Sequence, residues 1–140
     1  MRPSITYLHL LRHTPFFTAL SDQQLQWVID HSREWQAHGG ELITSCSDGK
    51  VASKDYWVLL DGGWALEYNG RSFPSGHAGP GKWFSADMAE GASCEMRATA
   101  PSYVIQIAAA DMHDMLAKGF AFDTHLDSGQ TYYQAIFSSK

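Results

Sequence analysis

The spacing of hydrophobic positions changes along the chain from helical to strand-like and back to helical. Residues 5–11 and 25–29 place apolar side chains three and four positions apart, which is typical of amphipathic helices. Ser21 precedes the second stretch and Gln24 lies three positions later, in the spacing of a capping box. The pattern predicts a helical region over about residues 5–38, ended by a pair of glycines.

From residue 41 to about residue 107 the chain reads as short β-strands separated by turn residues. Asn69-Gly70 has the sequence of a two-residue type I′ hairpin turn, which needs positive φ at both positions. Strands are predicted at residues 41–44, 56–60, 64–68, 71–73, 96–100 and 103–107. This density of short strands predicts a small barrel or sandwich.

The C-terminal part returns to helical spacing. A short helix is predicted over residues 111–118 and ends at Gly119, and the apolar residues after Gly129 predict a second short helix or an ordered tail. Both glycines are expected to interrupt any longer helix. The prediction is one domain, 1–140, with a helical cap at 5–38, a β-region at 41–107 and helices at 109–137.

Composition narrows the class of protein. The formal net charge of −5 argues against nucleic-acid binding, which needs a cationic surface. No apolar run approaches the roughly 18 residues of a membrane-spanning helix, and the N-terminus lacks a signal-peptide core. Cys46 and Cys94 lie far apart and form no CxxC pair, which predicts free thiols in a reducing compartment, the cytoplasm.

Three segments, in this order and spacing, resemble the cyclic-nucleotide-binding domain, found in catabolite-activator-type transcription regulators and in cyclic-nucleotide-gated channels and kinases. They read LRHTPFFTALSDQQLQWV at 11–28, YWVLLDGGWALEY at 56–68 and GPGKWF at 79–84. YVIQIAAADMHDML, at 103–116, is similar to that family's last strand and following helix. The resemblance implies a mainly β fold with flanking helices: a β-roll (a double-stranded β-helix, or jelly roll) with an N-terminal helical cap and C-terminal helices.

The same resemblance marks where the chain departs from the family. There, a Gly-Glu pair after the phenylalanine and a later arginine hold the ribose and the cyclic phosphate. Here Ser85 and Ala86 stand at the Gly-Glu positions, and Ala92 or Ser93 falls at the arginine, so the phosphate-binding cassette looks degenerate. Any small ligand is expected beside residues 84–93, the cassette segment. The candidate pocket residues are Phe84, Ser85, Ala86, Asp87, Ala92, Ser93 and Arg97.

An alternative alignment keeps a functional cassette. Asp87 and Arg97 lie at nearly the family's carboxylate-to-arginine spacing, and Arg97-Ala98-Thr99 is similar to the family's pattern. This alignment shortens the strand before Tyr103. In the ordinary structural interpretation, Arg97 is a solvent-facing strand residue and Asp87 caps a helix.

Catalytic and metal chemistry find little support in the sequence. Of seven histidines, His9 and His13 share a helical face but have no acidic or thiol partner nearby. Pro74-x-Gly76-His77 matches only a fragment of a cupin motif. No activated nucleophile pattern or phosphate-binding glycine loop is present, so no catalytic or metal residue is predicted.

The sequence therefore predicts a non-enzymatic, stand-alone sensor or regulatory module of this fold, without a cofactor and without a DNA-recognition helix. Its partners would be a small-molecule ligand or a protein, with no nucleic acid or membrane, and it would form a homodimer through the C-terminal helices. Tyr68, Phe73 and Met96 are expected to line the barrel, and Trp64 or Trp83 is a candidate for a pocket or dimer contact. Three alternatives stay open: a genuine cyclic-nucleotide binder using Asp87 and Arg97, a ligand-free interaction scaffold, and a cupin-type metal enzyme.

Overall fold

The computed structural model describes residues 1–46, 54–89 and 91–138. Its strands are β1 Arg2–Ser4, β2 Ser32–Ala37, β3 Leu42–Cys46, β4 Tyr56–Asp61, β5 Gly63–Tyr68, β6 Arg71–Gly76, β7 Trp83–Phe84, β8 Cys94–Ala98 and β9 Ser102–Ile107. Its helices are α1 Leu8–Arg12, α2 Asp22–Asp30, α3 Ala109–Ala117 and α4 Asp123–Phe137. Single 3₁₀ turns lie at Pro15–Phe17, Pro80–Lys82 and Ala86–Ala89.

Two antiparallel sheets form a β-roll, which confirms the predicted fold class. One sheet has the order β1-β2-β9-β4-β7 and the other β3-β8-β5-β6. β4 shows how they are covered: Trp57 and Leu59 pack between the sheets, in what we call the inner core. Val58 and Leu60 face the opposite way and pack against the helices, in the outer core. Because both faces of β4 are buried, this strand is almost continuously apolar.

Two local predictions are confirmed at the level of hydrogen bonds and dihedral angles. The Gln24 backbone N–H donates to Ser21 Oγ (3.2 Å), and the Ser21 N–H donates to Gln24 Oε1 (3.1 Å), which completes the capping box of α2. Asn69 and Gly70 have φ of 54° and 74°, as the β5–β6 hairpin turn requires. Both motifs depend on neighbouring residues alone, so the sequence determines them.

The predicted helical region, 5–38, is too long at both ends, because α1 begins at Leu8 and α2 ends at Asp30. Residues 2–4 form β1 and residues 32–37 form β2, which pairs with β1 on one side and with β9 on the other. β2 is SREWQA, a segment with few apolar residues, so its strand character comes from these two partners rather than from periodicity. Ile5 lies outside α1 and is exposed.

The expectation that Gly129 interrupts the last helix is wrong. α4 runs unbroken from Asp123 to Phe137, and Gly129 is buried within it. A Cβ atom at Gly129 would lie 2.1 Å from Trp83 Nε1. The glycine is therefore there because the helix backbone lies directly against the indole ring.

The prediction of free thiols also differs from the structure. Cys46 and Cys94 are directly opposite each other in the β3–β8 ladder, and their sulfurs are bonded as a disulfide. The two residues are 48 positions apart, and only the strand register brings them together. Free thiols therefore no longer support the inference of a cytoplasmic location.

Among the residues that the structure describes, no helix has the length and apolar character needed to cross a membrane.

Candidate ligand site at the cassette segment

The cassette segment starts in the inner core and then turns outward. Phe84 has no exposed surface and packs edge-on against Tyr133, with ring centroids 5.0 Å apart. Ser85 is buried, and its hydroxyl donates to the Lys54 carbonyl (3.2 Å) and lies 3.5 Å from the Asp87 backbone nitrogen. Ala86 begins the following 3₁₀ turn with its methyl group buried. These three side chains contribute packing and one hydroxyl, but no charge.

Asp87 and Arg97 have separate ion-pair partners. Asp87 is exposed and lies 3.7 Å from the Lys54 ammonium. In β8, Cys94, Met96 and Ala98 are buried, so Arg97 alternates to the outer surface of the sheet. Its guanidinium is 3.1 Å from both Glu67 and Glu95 and donates to the Gly40 carbonyl. The structure therefore does not bring Asp87 and Arg97 together as one anion-binding pair.

Ala92 and Ser93 occupy the end of the cassette segment, where the family places its arginine. Ala92 is half-buried against the inner core, and Ser93 is exposed. Neither side chain carries a positive charge. A cyclic phosphate beside them would have no charged partner from either position.

Aromatic and aliphatic side chains fill the inner core next to this segment. Trp64, Leu66 and Met96 have no solvent-accessible surface, so a water molecule does not reach them. Tyr68 and Phe73 are half-buried at its margin. The three residues expected to line the barrel thus belong to packed core or its edge, and Trp64 is its largest fully buried side chain.

One backbone carbonyl ties the barrel to the last helix. Gly81 O accepts a hydrogen bond from Trp64 Nε1 (2.8 Å) and another from the Tyr133 hydroxyl (2.8 Å). α4 packs on the turns at Pro80–Lys82 and Ala86–Ala89 and on β7. Tyr133 thereby places the side chain of a C-terminal helix directly against the cassette segment.

A second hydrogen bond holds α4 in the same position. Trp83 Nε1 donates to the His125 carbonyl at 2.7 Å, one turn before Gly129. Trp83 also stacks on Tyr56, with ring centroids 5.6 Å apart. Of the two tryptophans singled out as pocket candidates, Trp83 therefore connects β7 to α4 through its indole N–H, and Trp64 shares the Gly81 carbonyl with Tyr133.

Burial shifts the pKa of the titratable groups in this region. It raises the pKa of the Tyr133 hydroxyl well above its ordinary value, with a smaller contribution from Tyr132. It lowers the pKa of Lys82, whose ammonium has the Gly79 carbonyl at 3.3 Å. Desolvation lowers the pKa of His125, and the nearby Lys82 charge adds to the effect. In all three groups, burial shifts the pKa in the direction that disfavours the charged form.

Sequence reasoning missed Tyr133 and Gly81 as residues of this site. In the sequence, Gly81 belongs only to the family-like segment 79–84, and Tyr133 only to the stretch predicted as a second short helix or an ordered tail. The adjacent aromatic pair Tyr132 and Tyr133 was the available signal, because such residues are rarely left exposed in a helix.

A metal centre finds no geometric support in the part of the chain that is described. The His9 and His13 rings lie close, with centroids 4.6 Å apart, as their spacing predicts. No group of three or more His, Cys, Asp or Glu side chains there is arranged to hold a metal ion.

The two sheets, the helical cap and the position of the cassette segment define the fold of cyclic-nucleotide-binding domains. Solved structures share it at low sequence identity. The sensor domain of the transcriptional regulator DNR from Pseudomonas aeruginosa is 16% identical with a TM-score of 0.63, covering 91% of this chain and 92% of that one. A Geobacter metallireducens protein named for cyclic nucleotide binding is 21% identical with a TM-score of 0.62, covering 96% and 99%.

A third structure is only partly covered. It is the regulatory subunit of a cAMP-independent protein kinase A from Trypanosoma brucei, in a triple-substituted form bound to cAMP. It is 14% identical with a TM-score of 0.64, over 93% of this chain and 50% of that one. This chain thus spans half of that subunit. The chain matches no protein-family model and no curated protein.

Proposed function

We propose that this protein is a non-enzymatic sensor or regulatory module whose cassette segment does not hold a cyclic nucleotide in the usual way. The observation that carries the proposal is the Gly81 carbonyl, which accepts from both Trp64 and Tyr133. These bonds close the site with the protein's own side chains. The fold neighbours named for sensing and kinase regulation support the regulatory role.

Electrostatics give the physical reason. A cyclic nucleotide carries one negative charge, and removing that charge from water is unfavourable unless a cation or several N–H donors replace the water. Among the buried residues that the structure describes, the one cation is Lys82, two positions before Phe84. The Lys82 ammonium lies beside the Gly79 carbonyl, and Arg97 is already paired with two carboxylates on the outer surface.

The second candidate function is a ligand-free interaction scaffold, which the filled inner core favours. Its partner would be a protein, and a homodimer is the form that the sequence suggests. The apolar side of α4 packs internally through Tyr133 and Ile136, whereas Gln130, Thr131 and Gln134 are exposed and polar. The surface that α4 leaves for a homodimer contact is therefore mainly polar. Light scattering distinguishes a homodimer from a monomer by mass.

The remaining predictions on partners and location stay part of this proposal. A net charge of −5 supports the absence of a nucleic-acid partner. A cytoplasmic location also stays a proposal, and fractionation of cells that express the protein tests it.

Calorimetric titration of the full chain with cyclic AMP and cyclic GMP tests the proposal against the genuine-binder alternative. We expect no binding tighter than about 1 mM. Arg97→Ala and Asp87→Ala serve as matched variants, because both side chains lie at the surface. Micromolar binding that Arg97→Ala abolishes would establish the alternative instead. Saturable heat on addition of metal salts, removed by a chelator, would favour the cupin-type enzyme.

A further inference from the structure

A second cleft lies away from the cassette segment, between the N-terminal residues and the edge of the five-stranded sheet. Its volume is about 530 Å³, within the range of small-molecule sites. β1 and the residues after it form one wall, and β2, β4 and β9 contribute the rest. The residues that matter for its chemistry are Ile5, Tyr7, Leu10, Glu34, Asp61 and Tyr103.

Glu34 is a buried carboxylate, and one of its two oxygens accepts no hydrogen bond. The residue is 4% exposed, and its Oε2 accepts a hydrogen bond from Ser4 Oγ at 2.6 Å. Its Oε1 is buried without a hydrogen-bond partner, which is uncommon for a carboxylate in a folded protein. Burial raises the pKa of Glu34, and the hydroxyls of Ser4 and Thr6 act in the opposite direction.

The other charged side chain in the cleft is also acidic. Asp61 is exposed at the end of β4. The residues that line the cleft include no lysine, arginine or histidine. One buried and one exposed carboxylate, without a cationic side chain in the lining, give the cleft a negative potential that attracts a cation.

The opening of the cleft is apolar and aromatic. Ile5 is 70% exposed and Tyr7 62% exposed, and they are two of the three large hydrophobic side chains exposed in the described structure. Leu10 and Tyr103 continue this surface into the cleft. Tyrosine faces attract organic cations, and the aliphatic side chains offer contact area for an apolar body.

We infer that this cleft binds a small organic cation, an ammonium group carried on an apolar or aromatic body. The ammonium would pair with the Asp61 carboxylate in the field of Glu34, while the body would cover Ile5, Tyr7 and Leu10. An inorganic metal ion fits less well, because the cleft offers two carboxylates and the described residues contain no group of three metal-ligating side chains. The inference stands independently of what binds at the cassette segment.

Three probes with the same aromatic body and different charge test this inference. The full chain, labelled with ¹⁵N, is titrated with 2-phenylethylamine, neutral 2-phenylethanol and anionic 3-phenylpropanoate. We expect saturable shifts of the amide signals of residues 4–10, 34, 61 and 103 with the ammonium alone. Equal shifts from the neutral probe would overturn the charge argument, and the absence of any shift would overturn the site.

Variants assign the effect to the two carboxylates. Glu34→Gln and Asp61→Asn are each expected to weaken ammonium binding about tenfold. Glu67→Gln removes an exposed acid on the other sheet and should leave binding unchanged. If the amide spectrum of Glu34→Gln shows that this variant fails to fold, Asp61→Asn alone tests whether a carboxylate binds the ammonium. Ammonium binding that survives Asp61→Asn unchanged would contradict the inference.

Discussion

The Tyr133 hydroxyl donates to the Gly81 carbonyl at 2.8 Å, from a side chain with almost no exposed surface. The same carbonyl accepts from Trp64 Nε1, so both of its lone pairs are used. The bond joins the last helix to the turn that precedes the cassette segment. A change at either residue is therefore expected to affect both stability and access to the inner core.

Tyr133→Phe removes this hydroxyl and keeps the ring. Because Gly81 O retains its bond from Trp64, no buried acceptor is left without a partner, and we expect a loss of about 0.5–1.5 kcal/mol in the free energy of unfolding. Urea denaturation at pH 7 measures it. Tyr7→Phe, at an exposed position, is the control and should change stability by less than about 0.5 kcal/mol.

The same residue predicts a loss of stability at alkaline pH. The pKa of Tyr133 is raised in the folded state, so above about pH 10 the unfolded chain releases this proton while the folded chain keeps it. The unfolded state then binds fewer protons, and the free energy of unfolding falls as pH rises from about 10 towards the folded-state pKa. Thermal unfolding between pH 8 and 11 should show a steeper decline for the wild type than for Tyr133→Phe. Parallel curves would contradict this assignment.

Gly129→Ala tests the contact between α4 and Trp83. In an exposed helix the change would be stabilising by up to about 1 kcal/mol. Here the new methyl group would overlap the indole ring, so we expect a net loss of about 1–3 kcal/mol, measured by urea denaturation. Gln134→Ala, on the exposed side of α4, is the matched control and should be nearly neutral. A stabilising effect of Gly129→Ala would mean that α4 does not pack on Trp83 in solution.

Thiol titration tests the Cys46–Cys94 bond. The purified, denatured chain should expose reactive thiols only after treatment with a reductant, and reduction should lower stability by about 2–4 kcal/mol. The double variant Cys46→Ala with Cys94→Ala is the control and should not respond to reductant. Two reactive thiols in freshly purified, untreated protein would instead support the prediction from the sequence that both cysteines are free.

The features that the sequence predicts correctly depend on residues close together in the chain. The Ser21–Gln24 capping box and the Asn69-Gly70 turn are fixed by neighbours in the chain, and strands with strong apolar patterns, such as β4, follow from periodicity. β2 was missed because its partners β1 and β9 determine its conformation, and its own sequence is polar.

The site was less predictable for the same physical reason. Its main contacts connect Gly81 with Tyr133 and Trp83 with His125, across 52 and 42 positions of the chain. No local pattern specifies such a pair. In the sequence alone, a glycine that ends a helix cannot be told from one that, like Gly129, makes room for an indole ring within a helix. The resemblance to the family identified what the cassette segment lacks, whereas the packing of α4 against Gly81 and Phe84 is visible only in the structure.

The two indole N–H signals give the most direct test of the central claim, that the protein's own side chains close the cassette site. In a ¹H–¹⁵N spectrum, Trp64 and Trp83 report their bonds to Gly81 O and His125 O separately. We predict that both signals exchange slowly with deuterium and keep their positions as cyclic AMP is added up to about 1 mM. A saturable shift of the Trp64 signal, with loss of its protection, would contradict the account.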